Sequence, residues 1–61
     1  MKTLFDEYAK LRIEKNITIA MAGRKFVQPE TRAKIRKIDR LHPEFYIRFD
    51  KLTDEEILSY Q

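Results

Sequence analysis

The chain is 61 residues long, 43% hydrophobic, and carries 13 Lys plus Arg against 10 Asp plus Glu, a net charge of +3 with no cysteine. A domain of this length buries only about 60% of the surface its unfolded form exposes, and neither disulfides nor a thiolate metal cluster can add to that core. Four Phe, three Tyr, one Gly and two Pro argue against disorder and against a Gly-rich, turn-dense β architecture, so one small helical domain over 1–61 is expected.

The first element opens at Thr3-x-x-Asp6, a capping-box spacing, with Asp6 and Glu7 in the turn where the helix dipole favours negative charge. Leu4, Tyr8 and Leu11 recur at helical spacing with Phe5, Ala9 and the Arg12 stem alongside, and Asn16 offers a left-handed stop, which predicts a helix over 4–15. Residues 17–27 carry two patterns. Ile17, Ile19 and Met21 alternate with Thr18, Ala20 and Ala22, as in a strand that Gly23 turns into a hairpin. Thr18 as an N-cap followed by helix-compatible residues predicts instead a short helix over 19–26. That reading is preferred, because a lone hairpin has little independent stability.

Val27-Gln28-Pro29 reads as a turn, and Pro29 with Glu30 as the first turn of a helix whose Thr31, Ile35, Ile38 and Leu41 share one face. Arg32, Lys34, Arg36, Lys37 and Arg40 occupy the remainder up to the His42-Pro43 break, giving a basic amphipathic helix. Phe45, Tyr46 and Phe49 then form an aromatic face, on a helix or a short strand. Thr53-x-x-Glu56 is a second capping box, opening a last helix with Ile57, Leu58 and Tyr60. The fold class expected is all-α, four to five helices with a helix-turn-helix; the alternative is α+β with a hairpin at 17–27.

The charge is segregated. Residues 17–42 hold seven cations (Arg24, Lys25, Arg32, Lys34, Arg36, Lys37, Arg40) against Glu30 and Asp39, whereas 43–61 hold Arg48 and Lys51 against five carboxylates. A concentrated basic block attracts polyanions, although a solvated helix face carries similar charge in many proteins. Other classes fall away. The longest uncharged stretch, residues 16–23, is eight residues, far below the about 20 that span a bilayer. No signal-peptide apolar region follows the first lysine, so a cytoplasmic protein without a membrane partner is expected. One histidine without cysteine makes no ordinary zinc site, and Ser59, the only serine, is ill placed for a triad. The reading is a binding protein, not an enzyme, with no cofactor and no metal.

Two short helices joined by a tight turn, the second one basic, resemble a helix-turn-helix, with 18–26 as the supporting helix and 29–41 as the recognition helix that enters the major groove. Lys37-Ile38-Asp39-Arg40-Leu41-His42-Pro43-Glu44-Phe45-Tyr46, followed by Lys51-Leu52-Thr53, is similar to the segment after the recognition helix in ParB-type plasmid partition proteins and related phage regulators. His42 stands as an extra residue before the proline. The resemblance implies a DNA-binding fold in which Gln28, Thr31, Arg32, Lys34 and Arg36 meet bases or phosphates. Lys37, Arg40, Arg24 and Lys25 complete the candidate set as phosphate contacts.

The expected function is a small DNA-binding regulator or partition-type protein of a phage or plasmid. The partners are double-stranded DNA and a second copy, docked through the first helix and the aromatic segment so that Phe5, Tyr8, Phe45 or Phe49 is buried between protomers. The rival from another class is a phage-encoded inhibitor that binds a protein through the acidic and aromatic C-terminal face. RNA binding by the same basic helix is the third option.

Overall fold

Four α-helices and one 3-10 turn build residues 3–61, the part of the chain described by the computed structural model. Lys2, the first lysine of the sequence, lies outside the described residues. No strand occurs among the described residues, so the all-α expectation holds and the hairpin at 17–27 is excluded.

Helix α1 (Leu4–Ala22) starts where the capping box places it: Thr3 Oγ1 accepts the Asp6 amide at 3.2 Å, and Asp6 Oδ2 accepts the Thr3 amide at 3.0 Å. It does not stop at Asn16. The expected helix over 4–15 and the separate one over 19–26 are corrected to one helix of 19 residues, followed by a 3-10 turn at Arg24–Phe26. Thr18, expected as an N-cap, turns its hydroxyl back to the Glu14 carbonyl at 2.9 Å and stays in the ladder. The break comes at Gly23, whose amide reaches the Thr18 and Ile19 carbonyls and whose φ of 99° and ψ of 164° lie in a region essentially restricted to glycine. A supporting helix over 18–26 is therefore absent as a unit.

Helix α2 (Pro29–Leu41) has the expected bounds, with Pro29 in the first turn. Helix α3 (Glu44–Asp50) settles the aromatic segment as helix, and α4 (Asp54–Ser59) is capped reciprocally by Thr53 and Glu56 at 3.2 and 3.1 Å.

The core lies between α1, α2 and α3: Phe5, Tyr8, Ala9 and Ile13 from the first, Ile35 and Ile38 from the second, Phe49 from the third. Phe5 meets Phe45 edge-on, with centroids 5.3 Å apart, and Tyr8 meets Phe49 in the same manner at 6.3 Å. This corrects the expected protomer interface. Phe5, Tyr8 and Phe49 are buried within one chain, so of the aromatic residues expected between protomers only the half-buried Phe45 keeps exposed surface. Helix α4 is tied down by the half-buried Ile57 and Tyr60 and by the Tyr60 hydroxyl, which donates to Asp6 Oδ1 at 3.0 Å. No helix among the described residues is long and apolar enough to cross a membrane.

Candidate nucleic-acid interface

Helix α2 is held by its apolar and polar inner face, and this decides which of its cations face solvent. Ile35 and Ile38 are buried, and Asp39 Oδ1 accepts the Tyr8 hydroxyl at 2.7 Å. Arg12 Nη1 donates to the same phenol oxygen at 3.1 Å, and its guanidinium lies 4.8 Å from the ring centres of both Tyr46 and Phe49. Burial, followed by the hydrogen bond to Asp39, pushes the Tyr8 phenol up from its ordinary value. The result is a small polar knot joining α1 and α2 beneath α3.

Turned outward from that knot are Lys34, Arg36, Lys37 and Arg40, all exposed and without an ion pair to any described residue. At 3.6 residues per turn, Arg36, Arg40 and Lys37 fall within about 100° of one another and Lys34 lies about 60° beyond Lys37. Glu30 is the one carboxylate on this face. A 13-residue helix is about 20 Å long and, at about 10–12 Å in diameter, matches the about 12 Å width of a B-DNA major groove. Arg24 and Lys25, exposed in the 3-10 turn, extend the positive surface past the N-terminal end of α2, with the Lys25 ammonium 5.5 Å from the Phe26 ring centre.

Of the nine candidate residues, seven lie on this surface and two do not. Gln28 is exposed in the N-cap position of α2 without a side-chain cap bond, so its amide is free to reach outward. Thr31 is half-buried, lining a small cleft of about 90 Å³ with Val27 and Glu14. Arg32 is turned inward: Nη2 donates to the Arg24 carbonyl at 3.0 Å, while Nε is shut from solvent with no partner. Arg32 thus ties the 3-10 turn to α2 through an exposed bond that occupies part of the guanidinium expected to meet DNA. Sequence reasoning missed the knot. Its only signals were the Tyr8 and Arg12 spacing of four and the presence of Asp39 as a lone acid among basic neighbours.

Among the described residues no group of three or more His, Cys, Asp or Glu side chains is placed to hold a metal. The clefts are shallow and open, and α2 is the most strongly charged feature of a molecule measuring 29 × 26 × 21 Å. Comparison with protein-family models, with curated proteins and with solved structures returns no match.

Proposed function

We propose that this chain binds double-stranded DNA by laying the outer face of α2 against the duplex, with Lys34, Arg36, Lys37 and Arg40 on phosphates and Arg24 and Lys25 extending the contact. The observation that carries the reading is the set of four exposed, unpaired cations on one face of a rigidly anchored helix. Phosphate neutralisation of this kind supplies sequence-independent affinity, and Gln28 and Arg36 are the side chains best placed to add base readout. The resemblance of 37–53 to ParB-type partition proteins and phage regulators extends the proposal to a regulator or partition-type protein of a mobile element.

The test is titration with duplex DNA at several salt concentrations. Four to six phosphate contacts require log affinity to fall with log salt at a slope of about −4 to −5. Lys37→Ala weakens all sequences alike and flattens that slope by about one unit, whereas Arg36→Ala costs about 1–3 kcal/mol on a preferred site if it reads a guanine. Asp54→Asn with Glu55→Gln leaves binding unchanged or slightly tighter. Salt-independent affinity, or loss of activity only with the tail substitutions, transfers the function to binding a protein through the C-terminal segment.

A further inference from the structure

A groove of about 240 Å³ runs between the start of α1 and the end of α2, lined by Leu4, Glu7, Lys34, Lys37, Ile38 and Leu41. Leu4 is 41% exposed and Leu41 62% exposed, so the floor is apolar and open, while the rim carries two lysines against one carboxylate. The complement is present elsewhere on the same chain. On α4, Leu58 is 65% exposed, and Asp54 and Glu55, four and three residues before it, share its face. Neither acid makes a hydrogen bond or ion pair with a described residue through its side chain. Glu56, by contrast, is occupied by the cap of α4.

We propose that the groove takes α4 of a second copy of this chain, with Leu58 seated between Leu4 and Leu41 and the Asp54 and Glu55 carboxylates meeting Lys34 and Lys37. A chain cannot fill its own groove. Its α4 is fastened along the flank of α1 that carries Asp6 and Ile13, through Tyr60, while the groove opens along the flank that carries Leu4 and Glu7. Charge complementarity fixes the occupant: an apolar knob flanked by two acids fits an apolar floor whose rim carries Lys34 and Lys37 against Glu7 alone, and self-pairing of either surface sets like charges together. The contact is head-to-tail, so association is open-ended unless the rotation closes a ring. A contact limited to one six-residue helix and one small groove falls in the class of weak interfaces, those below about 1,200 Å². The inference stands apart from the nucleic-acid reading, though both use Lys34 and Lys37.

Sedimentation velocity from about 50 μM to about 1 mM protein tests it. At about 10 mM salt, where the Debye length is about 30 Å, the weight-average sedimentation coefficient rises with concentration, and at about 1 M salt, where that length is about 3 Å, the rise is reduced. Lys37→Glu alone and Glu55→Lys alone each remain monomeric. An equimolar mixture of the two associates again, because each variant's groove then meets a complementary tail. Leu58→Asp remains monomeric alone and with Glu55→Lys, but pairs one-to-one with Lys37→Glu, whose intact tail fits its intact groove. Circular dichroism of each variant checks the helix content; should a charge variant lose it, the salt dependence of the native chain together with Leu58→Asp decides. A native chain that is monomeric at about 1 mM and low salt, single variants that associate as the native chain does, or folded variants whose mixture stays monomeric would each overturn the proposal.

Discussion

The Tyr8 hydroxyl and the Asp39 carboxylate, 31 positions apart in sequence, meet at 2.7 Å and fasten α2 to α1. Tyr8 is fully buried and Arg12 bonds the same oxygen, so removing the hydroxyl leaves two polar partners unsatisfied at once. Tyr8→Phe is expected to destabilise the fold by about 1–2 kcal/mol, since an orphaned polar group costs more than a lost hydrogen bond. Asp39→Asn keeps an acceptor and costs less. Urea denaturation of both variants gives the comparison, and equal losses would refute the role of the phenol proton.

Arg32→Ala separates a clamp from a base-reading role. Loss of the bond to the Arg24 carbonyl costs about 1 kcal/mol, partly offset by removal of the unpartnered Nε. Duplex affinity and its salt slope are expected to stay within error of the native chain. A slope change equal to that of Lys37→Ala would place Arg32 on the DNA.

Gly23→Ala tests the end of α1. No atom lies within 4 Å of an added Cβ, so the penalty is that of the backbone alone at φ 99°. Such a conformation costs a non-glycine residue about 1–3 kcal/mol. Thermal melts should show that loss, whereas Ala22→Gly, within the last helical turn, costs nearer 1 kcal/mol.

Stability should fall at both ends of the pH scale. Burial first, and then hydrogen bonds to Asp39 and Asp6, raise the Tyr8 and Tyr60 phenols above the ordinary 10.0; their contribution is complete below that pH and is lost as pH rises through the folded values. The Thr3 amide and then the Tyr60 hydroxyl hold the Asp6 carboxyl below its ordinary 3.8. That contribution is present above 3.8 and is lost as pH falls through the lower folded value. Melting temperatures across pH check this, and Tyr60→Phe should blunt the loss at both ends.

Much of this architecture was legible in local spacing. Both capping boxes, the bounds of α2 and its exposed cations follow from residues within four positions of one another, where helix chemistry is decided. The union of α1 with its continuation past Asn16 was not legible, because Thr18 suits a cap and a helix interior alike; in the fold its hydroxyl bonds back to the Glu14 carbonyl and α1 packs on the 3-10 turn. The Arg32 bond to the Arg24 carbonyl and the Tyr8–Asp39 bond depend on contacts made across the fold, which the Tyr8 and Arg12 spacing and the lone acid Asp39 mark only faintly. Ile57, Leu58 and Tyr60 are alike apolar in the sequence, and only the packing of Ile57 and Tyr60 on the core leaves Leu58 outside.

The Tyr60–Asp6 hydrogen bond, spanning 54 residues, also orders events in time. The bond can form only once α1 is in place, and α4 brings only six residues and no fully buried side chain to hold it there. Helix α4 should therefore dock last on folding and lift off first, in a sub-global opening that spares α1 to α3. Its amides would lose hydrogen-exchange protection at a lower free energy than those around Ile35 and Ile38, and the cap shared by Thr3 and Asp6 would slacken each time it does.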